Sequence, residues 1–319
     1  MSAAVSETAA VPETAAVPET AAVPVHSWMP SSPCGAGCLP AEANAVSIPT
    51  VVVRWCLVVS ALATAPLLTA GWLLPRSWRT GLQRRYAAML LRCVGIRLVV
   101  VDHRGKRRHD GGLLVVAGHV SWTDVLVLSA LAPANFVARG DLLDWPVLGS
   151  LARRMRVVPI ERQSLRALPG TVATTAGRLR DGERVVAFPE GTTWCGRAYG
   201  GFRPALFQAA IDAECPVQPV SLRYTGRGGD LTTGPCFVGE ETIGLSIRRI
   251  IRQKGVNAEV RLAPIEYPGE CRRDLAARCE RAARGDECID LAAHDIVDPL
   301  QGAVGTAAAG IEAAERLVA

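Results

Sequence analysis

Short apolar runs rich in β-branched residues recur through the middle of the chain, at 96–101, 113–117, 135–138, 156–160, 184–188, 217–224 and 257–262. Each is brief enough, and flanked by enough turn residues, to read as a buried strand. Segments with helical spacing separate them, near 122–131, 165–180, 204–212, 242–253 and 271–284. Strands alternating with helices predict an α/β fold in which a mixed, mostly parallel sheet is flanked by helices.

The ends of the chain follow different patterns. Residues 7–24 are three copies of Glu-Thr-Ala-Ala-Val-Pro, a Pro-punctuated repeat with no apolar face to bury, so residues 1–47 are expected to form a flexible tail. Residues 55–75 then run without a charge, bracketed by Trp55 and Trp72. As a helix that stretch has the length to cross a bilayer core of about 30 Å, and Pro66 near its middle allows a kinked span or a re-entrant hairpin. Arg76, Arg79, Arg84, Arg85 and Arg92 crowd the edge that follows, where they would face anionic headgroups from the cytoplasmic side. The expected organisation is therefore a tail to 47, a membrane-embedded segment over 48–76, a catalytic domain over 77–265, and a C-terminal helix with a flexible tail over 266–319.

Composition adds little, but it narrows the classes. With 49% hydrophobic and 20% charged residues the chain can bury a sizeable core. The net charge is only +5, and neither a nucleic-acid-binding motif nor a phosphate-cradling Gly-x4-Gly-Lys loop is present. Ten cysteines are scattered, and the one short spacing, Cys34-Gly-Ala-Gly-Cys38 near His26, offers too few ligands for zinc. No metal is expected, and most of the cysteines are expected in the interior.

Two polar loops at the ends of two apolar strands carry the candidate chemistry. In Gly118-His119-Val120-Ser121-Trp122-Thr123-Asp124 a histidine and a carboxylate lie five positions apart. On a regular helix they would point about 140° away from one another, so His119 must precede the helix. Ser121 followed three positions later by Asp124 fits a capping pattern with the helix beginning near Trp122. A first-turn carboxylate can both cap and accept the imidazole proton, leaving the other ring nitrogen to act as base. The second loop, Phe188-Pro189-Glu190-Gly191-Thr192-Thr193, follows the strand at 184–188. A third segment, Val157-Val158-Pro159-Ile160-Glu161-Arg162, ends a strand with an arginine fork suited either to phosphate or to a surface ion pair. A fourth, Val217-Gln218-Pro219-Val220, reads as a core strand with an edge proline.

In this order and spacing the four segments resemble the lysophospholipid (glycerolipid) acyltransferases, over roughly residues 48–265. The resemblance implies His119 as base and Asp124 as its orienting partner. It further implies that Arg162, Glu190, Gly191 and Thr192 bind the phosphate-bearing acceptor and that Pro219 lines the acyl side. Arg139 and Asp141 look like the family's basic-then-acidic pair, ahead of a turn at Trp145-Pro146-Val147-Leu148-Gly149. Gly118, Glu161 and Thr193 depart from the family's usual Asn, Asp and Arg or Ser.

The implied reaction moves an acyl group from acyl-CoA or acyl carrier protein to a lysolipid hydroxyl at a membrane surface, lysophosphatidic acid being preferred, with no cofactor beyond that co-substrate. Thr193 keeps lyso-ornithine lipid, which lacks the glycerol phosphate, as an alternative acceptor. Backbone N–H groups near Trp122 are expected to meet the developing oxyanion. No Gly-x-Ser-x-Gly elbow is present, and Cys195 has no histidine near it in sequence, so a covalent acyl-enzyme is not expected. Two further readings are a lipid-binding protein that keeps the fold without catalysis and a thioesterase-like hydrolase.

Overall fold

In a computed structural model the described residues are 29–30, 32–40, 45–70, 75–105, 109–144, 146–162, 164–239 and 241–285. Seven strands, β1 (Ile96–Asp102), β2 (Leu113–Ala117), β3 (Asn135–Arg139), β4 (Val158–Ile160), β5 (Arg184–Ala187), β6 (Val217–Thr225) and β7 (Val256–Leu262), form one sheet in the order β1-β7-β6-β2-β5-β3-β4. Strands β6, β2, β5, β3 and β4 run parallel; β7 is antiparallel to β6 and parallel to β1. The sheet is mixed and mostly parallel, as the strand–helix alternation predicts.

Both faces of the sheet are covered, which is why its central strands read as continuous apolar runs. Leu114, Val116, Val185 and Ala187 pack on one face with Phe207 and Leu275. Ala117 and Val186 pack on the other with Val127, Leu128 and Tyr224. The helices supplying those layers include α3 (Thr123–Leu131), α5 (Leu168–Arg180), α6 (Phe207–Asp212), α7 (Ile243–Arg252) and α8 (Arg272–Arg284). Two more, α2 (Arg76–Cys93) and α4 (Pro146–Arg154), were not foreseen. The many arginines of α2 obscure a buried side at Ala87 and Leu91. Of the segment read as a turn at 145–149, residue 145 lies outside the described residues and 146–149 instead open α4, because proline in the first helical turn has no N–H to lose.

Helix α1 (Ile48–Ala70) starts seven residues before the uncharged run and continues through Pro66. Among the described residues no helix is long and apolar enough to cross a membrane, so the expected spanning segment finds no support there. Instead α1 is moored to the domain. The Arg54 guanidinium donates to the carbonyls of Ile251 and Gln253, both at 2.7 Å, and the Tyr86 hydroxyl donates to Ala61 O at 2.5 Å. Val58 and Ala61 are buried, while Val52, Val53, Leu57, Val59 and Leu62 remain exposed.

The tail expected over 1–47 is in part folded. The repeats at 7–24 lie outside the described residues, but a 3-10 turn at Ala36–Cys38 follows a buried Cys34, and Val46 N donates to Arg252 O at 2.7 Å. Helix α8 matches the expected helix near 271–284, and residues 286–319 lie outside the described residues.

Candidate active site

The carboxyl ends of neighbouring parallel strands bring the separate polar loops together. β2 is paired with β5, so the turn after Ala117 and the turn after Ala187 are adjacent, although 71 positions separate His119 from Glu190. β3 and β4 lie next along the same edge and carry Arg139 and Arg162 at their ends. This is where open α/β sheets hold their ligands.

His119 and Asp124 meet as expected, with Nδ1 2.8 Å from Asp124 Oδ2. The carboxylate is fully buried and heavily bonded. Oδ2 also accepts the backbone N–H groups of Val120, at 2.7 Å, and Ser121, at 2.9 Å, while Oδ1 accepts the Tyr224 hydroxyl at 2.6 Å. Only acceptors reside on an ionised carboxylate, so Nδ1 carries the ring proton and Nε2 presents its lone pair. The His119 side chain keeps 16% exposure and its ring stacks on Phe188 at a centroid distance of 4.0 Å. The capping reading holds in half. Asp124 reaches back to Ser121 N, but Ser121 Oγ accepts from Thr123 N at 3.2 Å and the helix begins at Thr123.

That turn engages three of the N–H groups near Trp122. The N–H groups of Val120 and Ser121 are bound to Asp124 and that of Thr123 to Ser121. They hold the base in place.

Glu190 braces the same loop from β5. Its Oε2 accepts His119 N–H at 2.9 Å, and Trp194 N–H donates to His119 O at 2.8 Å, so both peptide groups of His119 are held. Burial pushes the Glu190 carboxyl up to about 8, against the pull of the His119 N–H and of the Arg284 guanidinium 3.5 Å from Oε1. Gly191 turns the chain at φ +77°, where a Cβ would stand 2.6 Å from Pro30 Cγ. Thr192 is half-buried beside it. The departure at Thr193 has a local explanation, since its hydroxyl donates to Phe237 O at 2.5 Å.

Arg139 is engaged by Asp141 through two contacts, Nη2–Oδ2 at 2.5 Å and Nε–Oδ1 at 3.1 Å. Burial, with the Arg139 charge, lowers Arg162 to about 10, against the pull of Asp141, so it remains a cation at neutral pH. Pro219 is placed differently from the expectation. β6 lies between β2 and β7, so Pro219 sits inside the sheet, buried beside Val116, at the point where the β6–β7 ladder begins with Val220. Its missing N–H therefore interrupts no ladder bond to β7.

Sequence reasoning missed Tyr224, Phe188 and Arg284. Tyr224, pushed well above the usual tyrosine range by burial and by the Asp124 charge, stays protonated and donates; its hydroxyl also lies 2.7 Å from Thr123 Oγ1. It is 100 positions from Asp124, and no local pattern ties the two. A cavity of about 470 Å³ lined by Arg54, Arg97 and Arg227 lies apart from this loop, so the assignment rests on the side-chain constellation and not on cavity size.

A partly exposed imidazole paired with a sealed carboxylate lies at the carboxyl edge of a mostly parallel sheet in an α/β protein, an arrangement of the kind general-base chemistry requires. The profile of the Acyltransferase family matches residues 99–223. The chain is 31% identical to a lyso-ornithine lipid O-acyltransferase of Brucella abortus over 236 residues, covering 70% of this chain and 87% of that protein. It therefore belongs to the acyltransferase family. It is also 41% identical to a lyso-ornithine lipid O-acyltransferase of Rhizobium meliloti, over 49% of this chain and 53% of the relative. It is 36% identical to a 1-acyl-sn-glycerol-3-phosphate acyltransferase of Neisseria gonorrhoeae, over 48% and 59%. The chain thus spans little more than half the length of these last two. The fold is similar to the crystal structure of the LPA acyltransferase PlsC from Thermotoga maritima, with a TM-score of 0.57, 16% identity and coverage of 74% of this chain and 92% of that one.

Proposed function

We propose that the protein transfers an acyl group from a thioester, acyl-CoA or acyl carrier protein, to a lysolipid hydroxyl. His119 Nε2 takes the hydroxyl proton as the oxygen attacks the thioester carbonyl. The tetrahedral intermediate collapses to the ester, and the departing thiolate takes the proton back from the imidazolium. Base help of this kind contributes about 10²- to 10⁴-fold. The observation that carries the reading is the His119–Asp124 contact at 2.8 Å with Asp124 sealed by Tyr224, Val120 and Ser121.

For the acceptor, lyso-ornithine lipid is favoured by the name and coverage of the Brucella relative and by Thr193, which puts a neutral, internally bonded side chain where the family commonly carries Arg or Ser. Lysophosphatidic acid is the second reading, favoured by Arg162, which has no hydrogen-bond partner among the described residues and lies near Arg139. We place the reaction at the cytoplasmic face of the cell membrane. Support for membrane contact comes from the exposed apolar row of α1, continued by Trp78, Leu82 and Met89 of α2, with arginines interspersed. The test is purified full chain in detergent, a labelled acyl thioester and a panel of lysolipids, with products identified by mass. Acylation of lyso-ornithine lipid is expected. Acylation of lysophosphatidic acid alone would reverse the acceptor assignment, and thioester hydrolysis at full rate without any acceptor would replace acyl transfer by a thioesterase reading.

A further inference from the structure

Spacing along the chain argued against a metal because Cys34 and Cys38 stand alone in their segment. Folding supplies ligands from elsewhere. The Sγ atoms of Cys34, Cys38 and Cys195 lie within 4.8 Å of one another, although Cys195 comes from the loop after β5. Cys34 and Cys195 are buried, Cys38 is half-buried, and Cys195 N–H donates to Cys34 Sγ at 3.3 Å. A backbone N–H aimed at sulfur is the kind of outer contact that steadies a thiolate ligand. Cys236, fully buried on the connection between β6 and α7, belongs to the same buried cluster as Cys34 and Cys195, against which Cys38 packs, although its Sγ lies outside the 4.8 Å group.

We propose that Cys34, Cys38, Cys195 and Cys236 form a structural zinc site that fastens the N-terminal segment to the catalytic loop. A tetrahedral site with zinc–sulfur bonds of about 2.3 Å sets its sulfurs about 3.8 Å apart, so the three clustered thiols need to close by no more than about 1 Å. Dispersed cysteines that act only as small apolar side chains have no reason to bring three thiols together from two segments about 160 positions apart. Each ligand loses its proton on binding, and the Arg249 guanidinium, itself paired with Glu241, fixes the Cys236 segment by donating to Cys236 O at 2.5 Å.

The position gives the site a purpose. Trp194, one residue before Cys195, donates its N–H to His119 O at 2.8 Å, and Phe237, one residue after Cys236, donates to Val120 O at 2.9 Å. Thr193 Oγ1 joins the two ligand segments through Phe237 O. A metal shared by Cys195 and Cys236 would thus clamp both sides of the turn that carries His119. It would also hold residues 32–40 beside Gly191, against which Pro30 already rests.

The test is metal content, which stands apart from the acyl-transfer reading. Full chain purified under reducing conditions is expected to retain about one zinc per chain. Exchange for cobalt should give the thiolate-to-cobalt charge-transfer band and the visible bands of a tetrahedral centre. Cys34→Ser and Cys195→Ser should lose both signals, whereas Cys271→Ser, at an exposed position, should keep them. Reduced protein that binds neither metal, or equal retention in all three variants, overturns the proposal. Should the serine variants not fold, thiol alkylation of the native protein decides. A chelator is expected to expose cysteines 34, 38, 195 and 236 selectively, and an alkylation pattern unchanged by chelator overturns it.

Discussion

Asp124→Asn separates the charge of the carboxylate from its geometry. In the native turn three N–H groups converge on Oδ2: Val120 at 2.7 Å, Ser121 at 2.9 Å and His119 Nδ1 at 2.8 Å. They require an oxygen in that place in the variant as well, so the new amide nitrogen faces Tyr224. The tyrosine hydroxyl then accepts and turns its own proton to Thr123 Oγ1, 2.7 Å away. Ring orientation and tautomer survive, and what disappears is the negative charge behind the imidazolium. The difference between a charge-assisted and a neutral hydrogen bond is about 1 to 2 kcal/mol. That corresponds to a fall in kcat of about 5- to 30-fold. Asp124→Ala is a different perturbation, because it strands two N–H groups in the interior at about 1 to 3 kcal/mol each, and it should lower stability as well as rate. Steady-state release of the donor thiol in the presence of lysolipid, with circular dichroism to monitor folding, distinguishes the two. A folded Asn variant as inactive as His119→Ala would refute the reasoning, since orientation alone would then not account for the carboxylate.

Gly191→Ala places a side chain at φ +77° and 2.6 Å from Pro30 Cγ, so a loss of about 1 to 3 kcal/mol is expected as a lowered thermal midpoint; an unchanged midpoint would show that the turn is not so constrained. Glu190 should make stability fall as pH rises. Its folded value of about 8 lies above the ordinary 4.5, so the native state keeps a proton that the unfolded chain releases across that window. Its contribution is full below about 4.5 and is lost by about 8. Denaturation of wild type and Glu190→Gln at the two ends of the window should show a flatter dependence in the variant, and equal slopes contradict the assignment. Leu57→Glu with Leu62→Glu on the exposed row of α1 removes about 1.5 to 3 kcal/mol of transfer free energy per leucine, so co-sedimentation with lipid vesicles should weaken by at least about tenfold. Unaltered partitioning would exclude that row as the membrane-facing surface.

What was legible in the sequence was the part written locally. Short apolar runs mark all seven strands, and the impossibility of a His–Asp contact on one helix already places His119 in a turn. The contacts that complete the site were not legible because β2, β5 and β6 bring together residues separated by 71 to 101 positions. Tyr224 beneath Asp124 and Glu190 beneath the His119 N–H follow from strand order, whereas Cys195 beside Cys34, 161 positions apart, follows from the N-terminal segment packing on the loop after β5. Pro219 shows the same limit: a proline suggests an edge, yet the strand order β7-β6-β2 makes it internal, tolerated because the ladder to β7 begins one residue later. At α1 the uncharged run suggested a span, and the contacts that moor the start of the helix, Arg54 on Ile251 O and Gln253 O, depend on residues about 200 positions away and could not be read from it.

The central claim is that His119 Nε2 removes the acceptor's proton. The most direct measurement is single-turnover acyl transfer from a labelled thioester to lyso-ornithine lipid and to lysophosphatidic acid by wild type and by His119→Ala, each with its circular dichroism spectrum and vesicle binding. The account predicts that the alanine variant folds, binds vesicles and transfers acyl groups at least about 10²-fold more slowly to whichever lysolipid the wild type uses. A folded variant that acylates that lysolipid at the wild-type rate would contradict it.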